Sequence, residues 1–333
     1  MIFELLSKDG NFYKVNMHCH TNISDGKLSP NEVKDMYKAA GYSAVCFTDH
    51  EVNIGHKELC DEDFIALHGY EVAIKQDESY STGIFMPVYH FNMVAKSQDC
   101  LKMPSYYKTN PSMPGNARAW AEKYGQYDEV IDHVEYDNIE WVNNYLKSVK
   151  DGGYLITYNH PQWSLQNLDD IKNLEHLHAI EIINGGCSIL NDNTSIHYEQ
   201  LLRRGKKLFA NAGDDNHGSS DTFLAWTMIK SKELSYDALI EAYEKGDFYA
   251  SEGPEIKEFY IENEKIIAKT SYAKSIKLFT EGRYIDYVFD TDYAEFEYLP
   301  EKFGSYFRLE VTDKEGKRAF SNAYFTKEIA ELF

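Results

Sequence analysis

Histidines and carboxylates recur in this chain where short apolar runs stop, and that recurrence constrains the fold more than any other feature. Residues 12–17 read as a strand, and His18 and His20 follow it. On an extended strand residues i and i+2 share a face, so the two imidazoles can reach one cation together. Asp25 comes five residues after His20. His50 ends the run Ala44-Val45-Cys46-Phe47, and Glu71 follows a run from Phe64 to Tyr70. His90 lies within Val88-Tyr89-His90-Phe91. His160 follows Tyr154-Leu155-Ile156-Thr157-Tyr158, and Asp215 and His217 close the run that begins at Leu208. A lone His-x-His is a weak signal. Repetition at successive strand ends requires a fold that brings those ends to one edge, as alternating β/α barrels do.

The order of elements agrees. Ser29-Pro30-Asn31-Glu32 is a capping box with Pro at the first helical position, opening a helix that stops at Gly41. Residues 138–149 place Ile139, Val142, Leu146 and Val149 at helical spacing, and Gly152-Gly153 ends them. Ile180-Glu181-Ile182-Ile183 reads as a strand, 194–204 and 234–245 as helices. This βαβα rhythm predicts an α/β domain over 1–254 with a mainly parallel, barrel-like sheet. Residues 96–137 break it with Pro104, Pro111, Pro114 and several Tyr, and read as an insertion over the site rim, helical from Ala117 to Tyr124. Beyond Gly253-Pro254 short alternating runs and a hairpin turn at Asp313-Lys314-Glu315-Gly316 predict a small antiparallel β-sandwich domain over 255–333. It holds no histidine and no candidate ligand cluster.

Charge narrows the partners. Lys and Arg total 34 against 54 Asp and Glu, a formal net charge of −20. Such a chain has no cationic surplus with which to coat duplex nucleic acid, though a small phosphate ester held by metals remains open to it. No apolar run approaches the ~18 residues of a membrane span. The 5 Cys show no paired spacing, which fits a reducing compartment and a cytoplasmic location. Cys19, between two candidate ligands, should face away from them and act as a small packing residue. Asp49, beside His50, is a candidate to orient an imidazole or to make a strand-end hydrogen bond. Arg118 is a candidate phosphate clamp. His56, His68, His133, His176, His178 and His197 carry no motif and read as packing or surface residues.

The ordered set His-x-His, Ser-Asp-Gly, Thr-Asp-His, Gly-x-Glu, a mid-strand His, Asn-His-Pro and Asp-x-His resembles the PHP family, the polymerase and histidinol phosphatase domain, over about residues 15–255. Residues 245–254 resemble the close of that domain in its phosphoesterase members, and Arg308 to Gly316 a short β domain that follows it in some. The resemblance implies a distorted seven-stranded (β/α)7 TIM-like barrel with two to three divalent ions, Mn, Zn or Fe. It implies that His18, His20, Glu71 and Asp215 hold the first ion. Glu71, His90 and His160 would hold the second, with Glu71 bridging, and Asp25, His50 and His217 the third. Many relatives carry histidine where Asp25 stands. Most also carry Asp where this chain has Asn16, so a supporting carboxylate is absent at that position. Glu71, Asp215 and His217 are the catalytic candidates.

Closely spaced divalent ions activate water near neutral pH and neutralise phosphoryl charge. The leading expectation is therefore a metal-dependent phosphoesterase acting on a small phosphate monoester or nucleotide phosphate. A metal-dependent amidohydrolase cleaving a C–N bond and a non-catalytic metal-binding interaction module are the alternatives, because fold does not settle function.

Overall fold

The computed structural model describes residues 2–76, 86–110, 113–187 and 194–331. At its centre the strand Asn11–Asn16 pairs in parallel with Ala44–Phe47, and that strand in parallel with Ile65–Lys75. The helix Pro30–Ala39 makes the first crossover. Ser29 and Glu32 form the reciprocal capping box at its start, and Val33 and Tyr37 are its buried face. Further on, Tyr154–Tyr158, Ala179–Asn184 and Phe209–Gly213 pair in parallel, served by the helices Ile139–Asp151 and Ser195–Leu202.

The parallel order is interrupted. Ile65–Lys75 runs antiparallel to Val88–Ala95, which runs antiparallel to Tyr154–Tyr158. On the other flank Trp226–Ser231 runs antiparallel to both Asn11–Asn16 and Phe248–Ser251. Antiparallel neighbours need no helical crossover, and this is where the strand–helix alternation lapses. The ladders form an open path rather than a ring. The last strand of that path, Phe209–Gly213, comes back to the end of Asn11–Asn16 at one edge: Asp215 N–H donates to the His18 carbonyl (2.9 Å) and His20 N–H to the Asn216 carbonyl (3.2 Å). The architecture is a mixed α/β fold around one large sheet, and the expected closed seven-stranded barrel is not formed by strand ladders.

The segment after residue 96 builds a separate two-stranded sheet from Lys102–Tyr107 and Gln126–Ile131, with the helix Ala117–Tyr124 between them. Pro111 lies outside the described residues. The segment is fastened to the loop after His20: Asn116 donates from N to the Ser24 carbonyl (2.8 Å) and from Nδ2 to the Asn22 carbonyl (3.0 Å). Gly115 has φ +56, and a Cβ there would stand 2.1 Å from the Ser24 carbonyl oxygen, so only glycine permits this approach.

Residues beyond 255 form the antiparallel strands Ile256–Glu262, Lys265–Thr280, Ile285–Glu297, Tyr306–Thr312 and Arg318–Ser321. They bury their own apolar cluster, including Phe259, Leu278, Phe307 and Leu309, together with Leu5 and Leu6 from the chain start. Arg318–Ser321 pairs with Phe248–Ser251, so the ladder runs on into the first sheet rather than making a detached sandwich. Among the described residues no helix is long and apolar enough to cross a membrane, and all five cysteines are free.

Candidate metal centre

The nine residues singled out lie together, although Glu71 and His90 stand inside Ile65–Lys75 and Val88–Ala95 rather than at a strand end. Their donor atoms fall into groups whose members all lie within 4.8 Å of one another. His18, His20, Glu71 and Asp215 form one, and Glu71, His90 and His160 a second; His20, Asp25, His50 and His217 form a third. Glu71 and His20 each belong to two of these, and His18 and His160 also meet Glu181 in a further group.

Sheet geometry explains the convergence. Glu71 sits opposite Asn92 and Ala73 opposite His90 in the antiparallel ladder, so Glu71 and His90 are diagonal neighbours on one face. Glu71 Oε1 accordingly lies 3.0 Å from His90 Nδ1 and 3.3 Å from His160 Nε2, while Oε2 lies 3.3 Å from both His20 Nε2 and His50 Nδ1. Asn159 Nδ2 donates to Oε1 at 2.8 Å and holds the carboxylate in place. Asp215 Oδ1 lies 3.0 Å from His20 Nε2 and 3.2 Å from His18 Nε2. Asp25 Oδ2 lies 3.4 Å from His217 Nε2, and its Oδ1 3.8 Å from His50 Nε2. Two of these residues have backbones in the left-handed region, Asp215 at φ +53 and His160 at φ +21. Non-glycine residues held there are strained, a feature that gathers at functional sites.

Tautomers are set by outer contacts. Glu181 Oε1 lies 3.1 Å from His18 Nδ1, which leaves Nε2 of His18 for the centre. Ser164 Oγ lies 3.2 Å from His160 Nδ1, and the Asp215 carbonyl 3.0 Å from His217 Nδ1. Glu181 was not singled out in the sequence. It is buried, and Asn184 Nδ2 bridges it to Asp215. It supplies the supporting carboxylate that Asn16 lacks. Asn16 instead accepts from the His18 and Asp214 N–H groups and donates to Tyr37 and Asn216. The one usable signal for Glu181 was a lone carboxylate inside an otherwise apolar strand, since such a buried charge needs a partner.

Electrostatics bind the set together. Burial pushes the Glu71 carboxyl upward, yet His90, His18 and His50 hold it well below the usual carboxylate range. Asp215 is held low against burial by His18, His20 and His160. Burial pulls His20 down, but Asp215 and Glu71 outweigh it and raise the imidazole to about 10. Burial and the neighbouring His20 push His50 down to about 3. Asp25 Oδ1, His50 Nδ1 and Asp215 Oδ1 are buried without a hydrogen-bond partner. Buried polar atoms are rarely left so. Imidazole nitrogens and carboxylate oxygens at this spacing fit divalent cations of the Zn, Mn or Fe type.

One expectation needs correcting, and one open alternative, that for Asp49, is decided in favour of a hydrogen-bonding role. Arg118 does not reach the centre: its guanidinium donates Nη1 to the Lys108 carbonyl (2.6 Å) and Nη2 to the Asn110 carbonyl (2.5 Å), and it does not line the cavity. Asp49 touches no imidazole. It accepts from the N–H and hydroxyl groups of Thr21 and Ser24, which fixes the turn that carries Asp25. Of the six other histidines, His68 is buried against Asn53 and Gln98, and His178 is half-buried against Tyr243.

Seven of the nine residues, all but the buried His18 and His20, form the floor of an open cavity of about 610 Å³. Ala73, Lys75, Val88, Pro114, Trp163 and Leu165 are among its walls.

Solved structures resemble the chain distantly. A two-domain protein from Bacteroides vulgatus containing a predicted PHP-like metal-dependent phosphoesterase is 15% identical with a TM-score of 0.47, over 97% of each chain. A candidate metal-dependent phosphoesterase from Bifidobacterium adolescentis is 17% identical, TM-score 0.37, over 71% of this chain and 96% of its own. An amidohydrolase from Chromobacterium violaceum, with bound sulfate and no metal, is 16% identical, TM-score 0.37, over 62% and 88%. No curated protein matches the chain. The PHP domain, by contrast, matches residues 16–273, well over half of the 333 and inclusive of every residue in the three groups, and the chain therefore belongs to the PHP domain family.

Proposed function

We propose that this chain is a metal-dependent phosphoesterase that hydrolyses a small phosphate monoester or a nucleotide phosphate. The observation that carries the reading is three overlapping donor groups, joined through Glu71 and His20, on the floor of an open cavity. His18, His20, Glu71 and Asp215 would hold one ion, Glu71, His90 and His160 a second, and Asp25, His50 and His217 a third. Such ions supply a nucleophile from water near neutral pH and neutralise phosphoryl charge. The chain's own part is positional. Glu71 joins two groups and is braced by Asn159. Glu181 and Ser164 turn Nε2 of His18 and His160 inward. Asp215 Oδ1, 3.0 Å from His20 Nε2 and 3.2 Å from His18 Nε2, faces the first ion's position. His217, the most exposed imidazole of the set, stands at the lip where a leaving group departs. Residues 1–254 are the hydrolase unit, a barrel closed at its site edge by the Asp215–His18 and His20–Asn216 hydrogen bonds, and 255–333 a β unit that supports it.

A chain at −20 repels a polyanion over most of its surface and attracts phosphate only at a metal-loaded floor. Protein loaded with Mn or Zn is expected to release phosphate from sugar phosphates or nucleotides and to leave a closed circular duplex intact. Efficient nicking with no activity on any small ester would overturn the reading. Turnover of an amide panel but no ester would replace it with C–N hydrolysis by the same centre.

A further inference from the structure

The metal groups occupy one part of the cavity, and the rest of its lining is divided by chemistry. Glu71, Ala73 and Lys75 alternate along one strand, so all three face the cavity. Lys75 stands four residues beyond Glu71, a rise of roughly 13 Å. It is exposed, has no ion-pair partner, and is the only lysine or arginine among the described residues that line the cavity. Trp163 lies beside the second metal group: its indole is edge-on to His160 (centroids 5.1 Å, 81°) and tilted against His90 (5.4 Å, 53°). Trp163 is 49% exposed and Leu165 51%, so a broad apolar surface is left open beside the metal groups. The remaining charges are carboxylates, and the one outside the metal groups, Asp221, is already bonded to the N–H groups of His217 and Gly218.

An exposed lysine is ordinarily solvated and idle. Here it shares a strand face with the bridging carboxylate, and in a chain this acidic it is, among the described residues, the one lysine or arginine on the cavity wall. A short phosphate ester bound at the metal groups would leave both Lys75 and Trp163 unused. An elongated one would meet the indole along its body and the ammonium at its far end. We propose that the substrate carries a second anionic group remote from the scissile phosphate, received by Lys75, with a flat or apolar body lying on Trp163. This inference rests on the phosphoesterase reading.

The test uses the full, metal-loaded chain and three esters: 4-(2-carboxyethyl)phenyl phosphate, its uncharged match 4-propylphenyl phosphate, and propyl phosphate. The wild-type protein should favour the carboxylate ester over its match in kcat/KM by about tenfold, the scale of one charge-assisted hydrogen bond. Lys75→Met should bring that ratio toward one, and Trp163→Ala should lower both aryl esters relative to propyl phosphate. A ratio near one in the wild-type protein, or one that Lys75→Met leaves unchanged, overturns the role of Lys75. An unchanged aryl preference in Trp163→Ala overturns the platform. If no ester is turned over, the phosphoesterase reading has failed. Equilibrium binding of the matching phosphonates then decides: a carboxylate preference that Lys75→Met removes supports two-point recognition, and its absence refutes it.

Discussion

At the scale of single residues the centre turns on one shared carboxylate. Glu71 lies within 3.3 Å of nitrogens from four histidines, and no other residue belongs to both the first and second groups. Glu71→Ala is expected to lower turnover by well over about a hundredfold, beyond the loss typical of an outer contact, and to cost more than one bound ion per chain. Elemental analysis and kinetics on the folded variant check this; near-normal rates would place the bridge elsewhere. Glu181→Gln keeps the side-chain volume but removes the charge that orders His18. Metal affinity should fall about 10- to 100-fold, with turnover recovering at saturating metal. Failure to recover would give Glu181 a direct part in the reaction. The residues at strand ends were legible because histidine and carboxylate at that position, repeated, have few structural uses. Glu181 was not, because one carboxylate inside a strand, away from any motif, does not say which histidine it serves. Arg118 misled because a sequence shows a guanidinium but not the backbone carbonyls that occupy it.

Among elements, the decisive event is the approach of the first strand to the one ending at Gly213. A Cβ at Gly213 would stand 2.6 Å from His18 Cβ and 2.7 Å from His18 N, both parts of the segment that carries two ligands. Gly213→Ala must therefore shift His18. Overpacking of this kind costs about 1–3 kcal/mol. A lowered melting temperature with reduced metal content is the expected outcome, and full metal occupancy at wild-type stability would show that the strand ends have slack. The helices were largely readable from their caps and apolar spacing: the 138–149 pattern became Ile139–Asp151, and the capping box opened Pro30–Ala39. Strand direction was not. Parallel and antiparallel strands buried on both faces both read as continuous apolar runs, as Ile65–Lys75 and Val88–Ala95 do, so periodicity does not separate them.

The whole molecule is held together by contacts that join its C-terminal strands to the elements beneath the site. Asn322 alone accepts from Ala210 N–H and donates to the carbonyls of Gly246 and Phe248. Arg308, 2% exposed, donates Nε to Glu199 Oε1 (2.6 Å) on the helix Ser195–Leu202 and Nη1 to Glu310 Oε2 (3.3 Å), with Phe279 and Phe320 against its guanidinium. The composition change near residue 254 marked where the β unit begins, but it carried no sign of this seam, because the partners that cross it lie 74 to 112 residues apart and no motif joins them. The seam separates stability from chemistry. Arg308→Ala strips a buried carboxylate pair of its cation, a loss of about 3–5 kcal/mol. Among the described residues no candidate ligand lies beyond residue 217. The variant should melt far earlier than the parent chain, yet at a temperature where it is still folded it should bind the same number of ions per chain. Chemical denaturation followed beside metal analysis reads both quantities. Metal loss at a stage when the fold is intact would mean that the β unit shapes the centre as well as supporting it.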